Sequence, residues 1–334
     1  MSAEAAVQDQ GLVIPLIDFS LFLHGSPAER AATARAVLHG FQTAGFVYLA
    51  RHAIPPAAVA AVFARSAAFF AQPAADKDAL RLTDAAANRG YLCQGREKLV
   101  ISEGAAAEGA ADLKESFEIG REPHERFRNH WPARGKVDGF REEMMAFFET
   151  CQELHVQVMR AVAVGLGLDE THFDGFVDCA DNTLRLLHYP QVKANVFKDK
   201  VGQLRAGEHT DYGSVTLLFQ DDRGGLQVRS PSGKFVDATP MPDTIVVNAG
   251  DLLARWSNDT IKSTIHRVVE PPHDDADDDG DVVYPPRYSV AYFCNPNADK
   301  LIEAMPGTYA DEADKKYEGI TSGDYLFQRL AATY

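Results

Sequence analysis

Two hydrophobic periodicities divide the chain. Up to about residue 180 apolar residues recur mainly at three- and four-residue spacing, the mark of helices packed by one face. Beyond Asn182 they alternate in short runs separated by turn residues such as DDRGG and SPSGK, the mark of strands. In the front part VIPLIDF (13–19) predicts a strand. Ser26, Pro27 and Glu29 then form a capping-box start to a helix that Gly45 ends. FVYLARH returns as a strand, and PPAAVAAVFARSAAFFAQP predicts a second helix. The longest helical pattern runs from about Asp138 to Gly167 and could form the spine against which a sheet packs.

The back part reads as strands: TLRLLHYP, SVTLLFQ, GLQVRS, KFVDAT, TIVVNAG, STIHRVV and RYSVAYF. Their spacing predicts a jelly roll or barrel, so the expected class is α+β to mainly β, a jelly-roll core backed by helices. We expect one catalytic domain over 1–334. It comprises a helix-rich part (1–180), the jelly-roll core (181–300) and a C-terminal segment (301–334) with a closing helix from about Thr321.

Composition narrows the function. Hydrophobic residues make up 46% of 334, enough for a sizeable core. The net charge of −15 argues against nucleic acid or an anionic membrane as partner, since both require a basic footprint, and favours a small molecule. No run approaches the ~20 apolar residues of a membrane span. The N-terminal stretch has an early acidic residue and no basic region, so a secretory signal is not expected. Cys93, Cys151, Cys179 and Cys294 form no CxxC and are expected as reduced thiols in a cytoplasmic protein. The acidic run 274–281 spaces Asp275, Asp277, Asp279 and Gly280 like a calcium loop. Pro286 stands where that loop needs a glutamate, so a solvated loop is expected.

The chemistry concentrates in EHTDYG (208–213). In an extended segment His209 and Asp211 point to one face. Fifty-seven positions on, His266 shares a face with Thr264 and Val268. Two histidines and a carboxylate from separate strands form the facial triad of non-haem Fe(II) oxygenases, although zinc accepts the same donors. In RYSVAYF, Arg287, Ser289, Ala291 and Phe293 share a face. An arginine facing a barrel interior needs an anionic partner, and Arg287 with Ser289 can fork around a carboxylate. 2-Oxoglutarate, which chelates iron at one end and carries a second carboxylate at the other, has that shape.

These segments, with IPLIDFS, GFVYL, LLHYP, GGLQV and VVNAGDLLARWSN, make the chain resemble the 2-oxoglutarate- and Fe(II)-dependent oxygenases of the isopenicillin-N-synthase-like family over nearly its whole length. The resemblance implies a double-stranded β-helix. It makes His209, Asp211 and His266 the iron ligands, Arg287 and Ser289 the grip on the distal carboxylate, and Tyr189 a further co-substrate contact. It also implies consumption of O2 and 2-oxoglutarate, with release of CO2 and succinate as the substrate is hydroxylated. The same pair can instead hold a substrate carboxylate in family oxidases.

The substrate is read from the remaining faces. The inward face of TLRLLHYP carries Thr183, Arg185, Leu187 and Tyr189. Arg185 is either half of a structural ion pair or a donor to a substrate carbonyl. With Tyr212 and Phe293 it would suit a flat polar heterocycle: rings supply stacking and the guanidinium supplies orientation. LRLLHYP, RAGEHTDYGS, LLARWSNDTIKST, the NRGY…GREK segment and QRLAATY are similar to those of family members that oxidise the methyl group of free thymine, a free pyrimidine base, in pyrimidine salvage. Two alternatives stay open: the same iron machinery acting on another small molecule, such as a secondary metabolite, and a non-catalytic jelly-roll metal binder. Oligomeric state is not legible.

Overall fold

The structure, a computed structural model, describes residues 4–95, 112–193, 196–197, 204–270 and 283–333. The acidic run 274–281 and part of the GREK segment lie outside the described residues. The chain opens with β1 (Glu4–Asp9) and β2 (Leu12–Asp18), followed by α1 (Ser20–His24) and α2 (Pro27–Thr43). The cap of α2 is the predicted one. Ser26 Oγ accepts from the Glu29 amide, and Glu29 Oε2 accepts from the Ser26 amide at 2.8 Å. Gly45 follows with φ 74°, and its amide donates to Gly40 O. A Cβ there would lie 2.5 Å from Thr264 Oγ1, so the helix end and the approach of the His266 segment both require glycine.

Next come β3 (Phe46–Ala50), α3 (Pro56–Phe70), α4 (Ala74–Asp78), β4 (Gly90–Leu92), β5 (Glu115–Gly120) and the 26-residue α5 (Phe140–Gly165). After α6 (Asp174–Val177) the strands follow closely: β6 (Thr183–Tyr189), β7 (Val192–Lys193), β8 (Ala206–His209), β9 (Val215–Gln220), β10 (Leu226–Arg229), β11 (Phe235–Asp237) and β12 (Thr244–Ala249). The last strands beside the site are β13 (His266–Val268), β14 (Val283–Tyr284) and β15 (Arg287–Cys294). Helix α7 (Asp251–Trp256) precedes them, and α8 (Ser322–Thr333) closes the described chain.

A nine-stranded sheet runs β1-β2-β3-β12-β9-β15-β6-β5-β4, and a four-stranded sheet runs β11-β10-β13-β8. Only β2 and β3 pair in parallel within these sheets. The large sheet has two different faces. Leu184, Leu186, Val290, Tyr292 and Cys294 pack with α2, α3 and α5 in one apolar cluster. Leu187, Tyr189 and Ala291 pack with Ala206, Leu226, Val228 and Val268 of the small sheet in another. The period-two alternation of TLRLLHYP and RYSVAYF therefore sorts residues as expected: one set against the helices, the other into the space between the sheets. The expected jelly-roll core backed by helices is what the chain forms. Strands β1 to β5, drawn from the helix-rich part, extend the same large sheet as the core strands. Among the described residues no helix is long and apolar enough to cross a membrane.

Candidate active site

His209 is the last residue of β8, and Asp211 lies in the loop just beyond it. The loop is pinned on both sides. Asp251 N donates to Asp211 O at 2.8 Å, and Ser214 N donates to Cys294 O at 2.8 Å. Gly213 passes so close to β15 that a Cβ would lie 2.2 Å from Cys294 O, which explains the glycine in EHTDYG. His266 opens β13 and pairs in register with His209 of β8. The two imidazoles face each other at 4.3 Å between centroids, and Phe46 packs edge-on to His266.

Candidate ligand atoms of His209, Asp211 and His266 all lie within 4.8 Å of one another. Asp211 Oδ1 is 4.0 Å from His209 Nε2 and 3.9 Å from His266 Nε2, too far for hydrogen bonds and close enough to converge on one ion. The surroundings orient each donor. His209 Nδ1 meets Gly207 O at 2.8 Å, and His266 Nδ1 meets Thr264 O at 3.1 Å. Both contacts call for protonated Nδ1, which leaves the Nε2 lone pairs for a metal. Asp211 Oδ2 accepts from Thr216 Oγ1 at 2.6 Å and Asn248 Nδ2 at 2.7 Å, so Oδ1 is the oxygen turned toward the histidines. Burial, and then the neighbouring His266, push the His209 imidazole down to about 3. Burial alone would raise the Asp211 carboxyl. The two histidines and the Asn248 and Thr216 donors outweigh it and hold the group below 3.8. Two imidazole nitrogens and one carboxylate oxygen thus converge as a donor set that fits a divalent cation with positions left for reactants.

Beside the triad lies a cavity of about 640 Å³, lined by Leu187, Tyr189, Arg287, Ser289 and Phe293 among others. Arg287 is 1% exposed. Its Nε donates to Gly224 O at 2.7 Å, while its terminal nitrogens meet Ser289 Oγ and Gln220 Oε1 at 3.3 Å. Its guanidinium carbon stands 4.8 Å over the ring of Tyr189, its cross-strand partner. All the partners seen for Arg287 are neutral, so its charge remains for an anion entering the cavity.

Arg185, Tyr212 and Phe293 also line this cavity. Arg185 has the acidic partner of the ion-pair reading. Its Nε is 2.7 Å from Glu118 Oε1 on β5, where the two residues pair in register, and its guanidinium lies 5.2 Å over the Phe293 ring. Arg185 is therefore an ion-pair member that also faces the cavity. Tyr212 shares a 2.8 Å hydrogen bond with Thr333 and carries the Arg329 guanidinium 4.5 Å over its ring.

Several site residues went unread in the sequence. Thr216 and Asn248 are polar residues on apolar strands, SVTLLFQ and TIVVNAG, and that interruption was the available signal. Leu326, Phe327, Leu330 and Thr333 bring α8 over the cavity, and no local pattern reveals this.

Comparison with known proteins places the chain in a family. Residues 180–296 match the 2OG-Fe(II) oxygenase superfamily, and residues 14–134 match the non-haem dioxygenase N-terminal family named for morphine synthesis. The 2-oxoglutarate-Fe(II) type oxidoreductase ppzD of Metarhizium rileyi is 35% identical, with the match covering 95% of this chain and 90% of that one. The chain belongs to the 2OG-Fe(II) oxygenase superfamily. This oxygenase is a 2-oxoglutarate-dependent dioxygenase, and the non-catalytic reading falls away. The proline hydroxylase buaE of Petromyces alliaceus is also 35% identical over 95% of this chain and 98% of its own. Among solved structures, the full-length thymine-7-hydroxylase of Neurospora crassa in complex with alpha-KG superposes with a TM-score of 0.92 at 59% identity, covering 99% of this oxygenase and 100% of the hydroxylase. The Neurospora hydroxylase has also been solved with alpha-KG and thymine, and with alpha-KG and 5-formyluracil.

Proposed function

We propose that this oxygenase oxidises the methyl group of free thymine, with 2-oxoglutarate consumed and succinate and CO2 released. The observation that carries the reading is the 59% identity, over nearly the full length, to a protein solved with thymine beside alpha-KG. The cavity supports it independently, because the triad, Arg287, Arg185, Phe293 and Tyr212 all line the same space. The 5-formyluracil complex of the Neurospora hydroxylase supports successive oxidation, from alcohol to aldehyde to carboxylate. Relatives such as the proline hydroxylase keep a different small substrate in view, at the lower identity of 35%.

Bound Fe(II), with 2-oxoglutarate and O2, supplies the oxidising chemistry. The chain's own residues hold and place the reactants. His209, Asp211 and His266 would hold the metal. Arg287 and Ser289 bind the distal carboxylate of 2-oxoglutarate, with Tyr189 packed beneath the guanidinium. Arg185, steadied by Glu118, donates to a pyrimidine carbonyl. Tyr212 and Phe293 contact the base, and Leu187 with α8 keeps water from the methyl group.

The test is product formation. Thymine should stimulate succinate release and yield 5-hydroxymethyluracil, whereas uracil should do neither. Phe293→Ala should reduce thymine use by about 5- to 150-fold, the equivalent of roughly 1–3 kcal/mol of base stacking. Identical succinate formation with thymine, with uracil and with neither would remove thymine and leave the oxygenase with another substrate.

A further inference from the structure

Arg205 stands just before β8, fully enclosed at 0% exposure. Its Nη1 reaches two carbonyl oxygens, Tyr189 O at 3.4 Å and Pro190 O at 3.5 Å, both at the long limit for a hydrogen bond. Among the described residues its Nε and Nη2 have no hydrogen-bond partner, and no ion pair to it is found. Burial, and then the charge of nearby Arg287, pull its pKa below the usual guanidinium range. Two buried arginines thus share one corner of the fold, and the partners seen for both are neutral acceptors. Asp221 acts on Arg205 through space but makes no ion pair with it. An enclosed cation without a contacting anion is costly, and a second cation beside it raises the cost. The arrangement makes physical sense if the missing negative charge arrives with a ligand. Arg287 lines the cavity and Arg205 does not, so the anion would meet Arg287 directly and feel Arg205 from behind. Arg205 also grips the Tyr189–Pro190 corner, and the Tyr189 ring lies under Arg287.

We propose that Arg205 is a positioning residue for the co-substrate. Standing behind Arg287, it supplies a second buried positive charge that selects a 2-oxo dicarboxylate over a 2-oxo monocarboxylate. The proposal rests on the reading that 2-oxoglutarate places its distal carboxylate at Arg287. A residue that only braced the corner would matter equally for every keto acid and would stabilise the protein without ligand. A charge kept unpaired for the ligand does neither.

The experiment compares the full-length wild type with Arg205→Met, Arg205→Gln and Arg205→Lys, each loaded with Mn(II). Calorimetric titration uses 2-oxoglutarate and 2-oxovalerate, which shares the chelating end but lacks the distal carboxylate. Thermal unfolding is measured without keto acid. Arg205→Met should weaken 2-oxoglutarate roughly tenfold, as expected when one charge near a buried carboxylate is removed. It should leave 2-oxovalerate and Mn(II) within about twofold and should not lower the unfolding temperature. Arg205→Lys should retain most of the preference for the dicarboxylate. Arg205→Gln keeps a donor for the corner but not the charge, and should lose the preference even if the Met variant fails to fold. Equal weakening of both keto acids, or lower stability with unchanged 2-oxoglutarate affinity, would overturn the proposal. A wild type that binds 2-oxovalerate as tightly as 2-oxoglutarate would instead overturn the placement of the distal carboxylate at Arg287.

Discussion

Asp211 has two carboxylate oxygens, and the fold uses them differently. Oδ2 takes the hydrogen bonds from Thr216 and Asn248, and Oδ1 is left facing the two histidines. The same division holds at each imidazole, where Nδ1 meets a backbone carbonyl and Nε2 faces inward. Metal and co-substrate binding should therefore separate by mutation. Asp211→Ala, His209→Ala and His266→Ala should each abolish turnover and lower bound iron, with an unchanged far-UV circular dichroism spectrum. Normal activity in two of the three purified variants would contradict the triad. Arg287→Ala should keep its iron and raise the 2-oxoglutarate requirement by roughly 30-fold or more, since losing one partner of a buried charged contact costs ~2–5 kcal/mol. An unchanged requirement would place the dianion elsewhere.

At the scale of elements, β6 and β15 carry most of the site because they are neighbours in full register, from Arg287↔Tyr189 to Phe293↔Thr183. Their inward faces were legible in the sequence because alternation has a period of two and one set is held against the helices. Helix α8 was legible as an element but not as a wall of the cavity. Its position depends on the Tyr212–Thr333 hydrogen bond and the 3.5 Å Arg329–Asp251 ion pair, which join residues far apart in the chain. Ending the chain after Thr321 should therefore leave iron and 2-oxoglutarate binding intact while thymine turnover falls by about 10- to 100-fold, with succinate formed in excess of product. Retained coupling in the shortened enzyme would show that α8 does not hold the substrate.

A second set of contacts ties β5 to its neighbours on the opposite side of β6. Glu115 accepts from Lys77 at 2.8 Å and also from Tyr91, and its other oxygen is 2.7 Å from His188 Nδ1. Burial alone would raise the Glu115 carboxyl, yet these donors outweigh it and hold its pKa below the ordinary 4.5. A carboxyl depressed in the folded state adds stability above its unfolded pKa and loses it as pH falls through the folded value. Acidification from pH 7 to pH 3 should thus cost the wild type more urea resistance than it costs Glu115→Gln. Parallel losses in the two proteins would remove Glu115 from the acid response.

For the whole molecule, what the sequence made legible follows from how local each signal is. The triad, the Arg287–Ser289 face and the jelly-roll strands lie in short motifs whose geometry is set by strand alternation. Thr216, Asn248, Glu118 and Arg205 act through partners on other segments of the chain, so their sequence context shows only a polar residue where an apolar one would fit. Metal, 2-oxoglutarate and thymine should share one cavity between the two sheets. Anaerobic titration of the metal-free enzyme with Fe(II) and 2-oxoglutarate, followed by thymine, tests it most directly through the visible charge-transfer absorption of the chelate. The band should grow only when Fe(II) and 2-oxoglutarate are both present, be lost in Asp211→Ala, and shift when thymine is added but not in Phe293→Ala. A chelate band that never forms, or that thymine leaves unchanged in the wild type, would contradict the shared cavity.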